Sequence, residues 1–243
     1  MAKAKFANSN SIILNQPDIR VIIPAYNEEN AVGLVIDEIP DGLVSEVCVV
    51  DNGSTDETPQ VARQKGATVL FQKEKGYGNA CLKGMEHIAA SQTLPDIVVF
   101  LDGDHSDYPE LMTKLVQPII ENKVDFVVGS RALGNKENGS MTVPQVFGNW
   151  LATRLLKLFY GATFTDLGPF RAIRYDILQK LDMQDRTFGW TVEMQLKIAK
   201  LSLRFVEVPV DYRRRVGVSK ISGTVKGTLM AGYKILYTIF KNI

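Results

Sequence analysis

Two carboxylates separated by a single glycine, Asp102-Gly103-Asp104, follow the apolar run Ile97–Leu101. In a nearly extended segment the side chains at i and i+2 point to one side, and the glycine lets a ligand approach the backbone. A hard oxygen pair of this kind suits Mg²⁺ or Mn²⁺, which one or two carboxylates hold and substrate phosphates complete. The competing reading is an Asx-rich turn capping a helix that begins near Pro109. His105 stands open between a ligand and an exposed turn histidine. Two further apolar runs end in polar sequence: Pro24-Ala25-Tyr26-Asn27-Glu28, and Asp51-Asn52-Gly53-Ser54-Thr55-Asp56. Ser54 to Glu57 read as a helix cap. Asp51 is not explained by capping, and a carboxylate there can accept the N–H of a nucleobase, with Pro24 and Tyr26 offering apolar surface to the ring.

Lys75-Gly76-Tyr77-Gly78-Asn79-Ala80 resembles half of a dinucleotide fingerprint, but Cys81 takes the third glycine position and the run follows the third apolar segment, which disfavours a nicotinamide site. The reading that stands is a Gly-rich turn offering backbone N–H groups and Lys75 to a ligand. A Walker lysine motif is absent, which disfavours P-loop chemistry. Near the C-terminus, Tyr212-Arg213-Arg214-Arg215-Val216-Gly217-Val218-Ser219-Lys220 sets four cations around a glycine. Arginine forks suit a phosphate clamp; the alternative is a solvated basic loop.

These groups need a scaffold, and the hydrophobic pattern supplies one. Ile19–Pro24, Glu46–Asp51, Ala67–Gln72, Ile97–Leu101 and Val124–Gly129 read as short buried strands. Helical stretches lie between them at 30–39, 56–64, 79–90 and 110–122. The alternation predicts an α/β domain with a mostly parallel sheet covered by helices, with ligands outside the carboxyl ends of the strands. Beyond Gly129 come a helix at 142–160, an extended piece near 163–172, helices near 174–181 and 190–201, a strand at 204–212 and a last helical segment from about Gly223. Residues 1–17 read as a flexible lead-in, 18–222 as the catalytic domain and 223–243 as an amphipathic helix. That helix is too short in apolar residues to span a bilayer. It packs on the body or on a second copy of the chain, or rests on a membrane surface with lysines at the headgroups.

With 243 residues, 45% hydrophobic and 23% charged, the chain is an ordinary globular one. Cys48 and Cys81 make neither a disulfide framework nor a Cys-rich zinc site and read as buried thiols. The start lacks a secretory core, so the expected compartment is the cytoplasm. The net charge of +1 argues against bulk binding to nucleic acid. It is a cancellation: residues 201–243 carry eight Lys/Arg against two acids, +6, leaving −5 for the rest. An acidic front and a basic tail suit a diphosphate donor and an anionic lipid, and leave a membrane surface open as a partner.

PAYNE, DNGSTDET, the strand-terminal DGD, Gly129-Ser130-Arg131 and YRRRVGVSK together resemble family-2 glycosyltransferases of the GT-A fold, most closely the dolichyl- or polyprenyl-phosphate mannose and glucose synthases. The match runs from residue 19 to about 222. The resemblance implies a Rossmann-like sheet and a hexose passed from a UDP- or GDP-sugar to a polyprenyl phosphate with inversion, assisted by Mg²⁺ or Mn²⁺. It implies that Pro24, Ala25, Tyr26, Glu28, Lys75, Gly76 and Gly103 hold the nucleotide, that Asp51 reads the base, and that Asp102 and Asp104 bind the metal. Arg131 would lie near the phosphates or sugar. Asp166 to Ala172, with Arg171, would form the acceptor side, and Arg213, Ser219 and Lys220 the closing phosphate loop. Relatives often carry Gln two residues after the second aspartate, where this chain has Ser106. A lipid phosphate is already ionised and needs no strong base. A hydroxyl acceptor would, with Asp166 or Glu193 as candidates. The rival readings are transfer to a soluble sugar or protein hydroxyl, and a sugar-phosphate nucleotidyltransferase, which would want a Gly-rich basic loop where PAYNE stands.

Overall fold

A computed structural model describes residues 16–217 and 225–241. The chain runs β1 (Ile19–Ala25), α1 (Val32–Asp37), β2 (Glu46–Asp51), α2 (Thr58–Gln64), β3 (Thr68–Phe71), α3 (Tyr77–Ala89), β4 (Ile97–Phe100), α4 (Met112–Ile120) and β5 (Phe126–Ser130). It continues through α5 (Val143–Tyr160), β6 (Arg171–Arg174), α6 (Tyr175–Leu181), α7 (Trp190–Lys200), β7 (Phe205–Pro209) and α8 (Val225–Lys241). The seven strands form one sheet in the order β3-β2-β1-β4-β6-β5-β7. All pairs are parallel except those of β6, which runs antiparallel to both β4 and β5. The expected mostly parallel, helix-covered sheet is the fold observed, with a helical C-terminal part.

Successive strand residues alternate between two cores, as the period of two requires. Ile22, Cys48, Val50, Phe100 and Phe126 face one core, built with α3, α5, α6 and α7 around the fully buried Trp190. Val21, Ile23, Val49, Val99 and Val127 face the other, built with α1, α2 and α4. Cys48 and Cys81 are free and buried, and burial pushes the Cys48 thiol up to about 12.

β1 to β5 fall within two residues of the sequence expectations, whereas the extended piece expected near 163–172 gives a strand only at Arg171–Arg174 and the one expected at 204–212 ends at Pro209; helix starts differ for a reason. α2 begins at Thr58 because Asp56 Oδ1 accepts the Thr58 N–H (3.1 Å). Ser54 and Thr55 are drawn off to Asn27: Ser54 Oγ accepts the Asn27 N–H (2.9 Å), and the Thr55 N–H donates to Asn27 Oδ1 (2.8 Å). They lock two strand ends together instead of capping the helix. α5 is capped on both sides: Thr142 and Gln145 form a capping box, and Gly161 closes the helix at φ 69°. α8 belongs to the body on one side, where Ile239 is fully buried and its carbonyl accepts from the Tyr160 hydroxyl (3.2 Å).

Candidate active site

The carboxyl ends of β1, β2 and β4 open on one edge of the sheet. β1 and β2 end in register, with Ala25 beside Asp51, and β4 pairs with β1 up to Phe100 beside Ile22. The chain leaves these strands into a cleft of about 380 Å³. Pro24, Ala25, Tyr26, Glu28, Lys75, Gly76, Asp102, Gly103 and Asp104 all line it, so nine residues singled out from the sequence converge on one wall. Asn52, Tyr77, Ala80 and Arg215, which lie in the quoted motifs without a role of their own, and Phe188, which no motif contains, complete it.

The two aspartates differ in surroundings. Asp102 Oδ1 is buried with no hydrogen-bond partner among the described residues. Burial, then the neighbouring charge of Asp104, pushes its carboxyl up to about 7. Asp104 Oδ1 accepts the Ser106 N–H (3.0 Å) and the Ser106 hydroxyl, so the Asx turn and the acidic pair coexist and Ser106 orients the second carboxylate. An unpartnered buried carboxylate oxygen beside a second, aimed carboxylate fits a hard divalent cation. Among the described residues no third His, Cys, Asp or Glu joins them. Any cation held there must complete its shell with water or substrate oxygens, which is how Mg²⁺-type sites are usually filled. His105 turns away: at φ 63° its ring nitrogen lies 2.8 Å from Glu38 Oε1.

Several expected site residues have other partners. Arg171 is fully buried and donates to the carbonyls of Leu167, Gly168 and Thr191. It braces the 167–168 turn from within and cannot reach an acceptor in the cleft. Burial lowers its guanidinium to about 10. Arg213 forks onto Glu38 and the carbonyls of His105 and Asp107, and stacks 4.3 Å from the Tyr108 ring centroid, so its donors are spent on structure. Asp51 Oδ1 accepts the Ser54 N–H (2.9 Å) and holds the turn, while the next residue, Asn52, faces the cleft. Ser219 and Lys220 lie outside the described residues.

Arg131 and Asp166 meet in a two-pronged pair, Nε to Oδ2 at 2.8 Å and Nη2 to Oδ1 at 2.7 Å. The guanidinium charge and its hydrogen bonds outweigh burial and hold Asp166 below the usual carboxylate range. That makes it a poor general base. Glu193, the other candidate base, accepts the N–H groups of Gln184 and Asp185 and pairs with Lys197 at 2.8 Å. It fastens the loop before α7 and lines no part of the cleft.

The Gly-rich run works differently from a phosphate cradle. The Gly78 and Asn79 N–H groups donate to the carbonyls of Thr187 and Arg186 (3.2 and 2.9 Å), so they are not free for a ligand. A Cβ on Gly78 would stand 2.0 Å from the Asp185 carbonyl oxygen. The glycine lets the 185–188 segment lie against α3, and that segment delivers Phe188 to the cleft. Lys75 Nζ donates to the carbonyls of Asn52 and Gly53 (2.9 and 2.7 Å) and sits 3.6 Å over the Tyr26 ring, so it fixes the wall it lines. Asp107 carried no signal: it is buried with both carboxylate oxygens unpartnered among the described residues, and burial raises it well above the ordinary range.

The family model "Glycosyl transferase family 2" matches residues 20–182. A dolichyl-phosphate hexose transferase of Haloferax volcanii is 34% identical over 212 residues, covering 84% of this chain and 86% of that protein. An undecaprenyl-phosphate mannosyltransferase of Micrococcus luteus is 29% identical over 86% of this chain and 89% of its own length. In fold, the chain is similar to glucosyl-3-phosphoglycerate synthase of Mycobacterium tuberculosis, solved with Mn²⁺, UDP-glucose and phosphoglyceric acid, with a TM-score of 0.72, 24% identity and coverage of 93% and 79%. A cleft built from three strand ends around an acidic pair therefore sits in a chain that belongs to glycosyl transferase family 2.

Proposed function

We propose that the protein transfers a hexose from a UDP- or GDP-sugar to a polyprenyl phosphate, with inversion and with the help of Mg²⁺ or Mn²⁺. The observation that carries the donor half is the acidic pair itself: Asp102 Oδ1 is buried and has no hydrogen-bond partner among the described residues, at a cleft floored by strand ends. Asp102 and Asp104 would hold the metal, which neutralises the leaving diphosphate as a Lewis acid. Tyr26 and Pro24 offer apolar surface to the base, and Phe188 adds a third apolar side chain to the lining. Ser106 aims the Asp104 carboxylate, and the Asn27–Ser54 and Asn27–Thr55 bonds keep two strand ends at fixed separation, so the frame of the site is fixed before the donor arrives.

The acceptor half rests on the exposed faces of α5 and α8. Val143, Phe147, Trp150 and Leu158 recur on one face of α5 and are 82%, 60%, 50% and 73% exposed. Arg154, also exposed, lies along the same face over the Trp150 ring. On α8, Tyr233, Tyr237 and Phe240 are exposed, and the two helices adjoin where Phe159 meets Phe240 edge to face. Aromatic and aliphatic side chains with interspersed cations suit a peripheral seat on an anionic bilayer, at its cytoplasmic face. Among the described residues no helix is long and apolar enough to cross a membrane. α5 is tied to the acceptor-side segment: Asn149 donates to the Thr165 carbonyl (3.0 Å) and accepts the Leu167 N–H (2.8 Å). A lipid phosphate needs no general base, and the two carboxylates best placed by sequence to serve a hydroxyl, Asp166 and Glu193, are both committed. The names of the Haloferax and Micrococcus relatives point to the same acceptor class.

The deciding experiment offers labelled UDP-glucose and GDP-mannose, with Mn²⁺ or Mg²⁺, to polyprenyl phosphate in mixed micelles and to soluble sugars and phosphoglycerate. Label moving into the organic phase in a metal-dependent way is expected. Label moving only onto a soluble acceptor overturns the lipid reading.

A further inference from the structure

Residues 210–217 form a strap sewn to the acidic loop. The Arg213 N–H donates to the Ser106 carbonyl and the Val216 N–H to the Asp104 carbonyl, each at 3.0 Å. Between these stitches Arg215 turns its guanidinium into the cleft. Nη1 lies 3.1 Å from Asp104 Oδ2, and Nη2 lies 2.5 Å from Glu28 Oε1. The two carboxylates come from loops after different strands, and only this cation bridges them among the described residues. Arg215 Nε is buried and finds no acceptor there. The guanidinium is thus clamped by two charges while one of its donors is unmet, an arrangement that an additional oxygen ligand would complete.

We propose that Arg215 is an internal counter-cation which competes with the divalent metal for Asp104, so that metal entry and release of the guanidinium are a single exchange; the idea rests on the metal-dependent reading above. Without a bound cation, Asp104 and Glu28 place two negative charges in a largely enclosed wall, and one guanidinium holds them together. A bare divalent ion must break charge-assisted bonds before it can take Asp104. A metal arriving with a nucleoside diphosphate meets less resistance. Phosphate oxygens are suited to an arginine fork and can accept from the displaced guanidinium, Nε included. Metal and diphosphate then favour each other's binding, and the coupling is reciprocal. Early metal loading without donor is suppressed, and the guanidinium stays on Asp104 until both are present.

The test is direct Mn²⁺ binding to the full chain, read from the electron paramagnetic resonance signal of free Mn²⁺, with and without UDP. Without UDP, Arg215→Gln is expected to bind Mn²⁺ about tenfold more tightly than wild type, while Arg215→Lys, which keeps the charge, stays near wild type. UDP should tighten Mn²⁺ binding by a larger factor in wild type than in Arg215→Gln. An Arg215→Gln protein that binds Mn²⁺ no more tightly than wild type overturns the exchange, as does an Arg215→Lys protein as tight as Arg215→Gln. Asp104→Asn separates the two claims. If it loses Mn²⁺ while Arg215→Gln is unchanged, the exchange alone fails. If it binds Mn²⁺ as wild type does, the metal-dependent reading of the site fails with it.

Discussion

Arg131 and Asp166, 35 residues apart in sequence, form a forked and almost wholly enclosed ion pair, with side chains 11% and 1% exposed. Asp166 also accepts the Arg131 backbone N–H at 2.7 Å, so one carboxylate fastens the end of β5 to the segment leading into β6. Removing one partner strands the other as a buried charge. Asp166→Asn is expected to lower unfolding free energy by about 3–5 kcal/mol in urea titration, and a loss below about 1 kcal/mol would refute the structural role.

The same pair sets a pH dependence. The folded-state pKa of Asp166 is depressed below 3.8, so its stabilisation is fully present above 3.8 and is lost as pH falls through the lower folded value. Wild-type stability should therefore decline below about pH 4, and Asp166→Asn should show a shallower acid slope. Parallel slopes for the two proteins would contradict this.

Asp102→Asn and Asp104→Asn should each abolish the metal-dependent thermal stabilisation by UDP-glucose or GDP-mannose. Asp104 is buried and paired with Arg215, so circular dichroism of each variant without ligand is measured alongside to show that it folds. Retention of the full Mn²⁺-dependent shift by both variants would remove the acidic pair from the metal site.

Gly78 is required by contact. With the Asp185 carbonyl oxygen 2.0 Å from a built Cβ, Gly78→Ala must push the 185–188 segment away from α3. Overpacking of this kind costs about 1–3 kcal/mol, and because the displaced segment carries Phe188, nucleotide affinity should fall along with stability. A variant with wild-type affinity would show that Phe188 does not contribute to the donor wall.

Phe147→Ser with Trp150→Ser removes two exposed rings from the α5 face without touching the cores. Sedimentation with anionic vesicles should drop severalfold while the melting temperature and nucleotide binding stay near wild type. Unchanged vesicle binding would detach α5 from the membrane reading.

Arg171 and Arg213 mark where local reading stops. An arginine beside a predicted acceptor segment and another in a run of three arginines both look like phosphate ligands in a linear chain. The sheet inserts β6 between β4 and β5, which drives Arg171 into the interior, where only backbone carbonyls can meet its charge. The strap directs Arg213 outward onto Glu38 and Arg215 inward onto Glu28 and Asp104. Two residues of the same type, two positions apart, thus take opposite roles, and no property of the tripeptide distinguishes them. Asp107 escaped notice for the same reason: its isolation is created by what packs over it.

The sequence by itself determined β1 to β5, a mostly parallel sheet and the carboxyl ends at which chemistry collects, because period-two burial and strand-terminal polarity are local properties written in consecutive residues. It also determined the acidic pair, since two carboxylates around a glycine keep their relation whatever surrounds them. Tertiary structure decided which charges are free and which are spent. A charge's role depends on partners brought from 35 residues away in the case of Asp166, and from 187 in the case of Glu28 and Arg215. Only the folded chain sets the short distances at which a guanidinium either waits for a phosphate or is already satisfied.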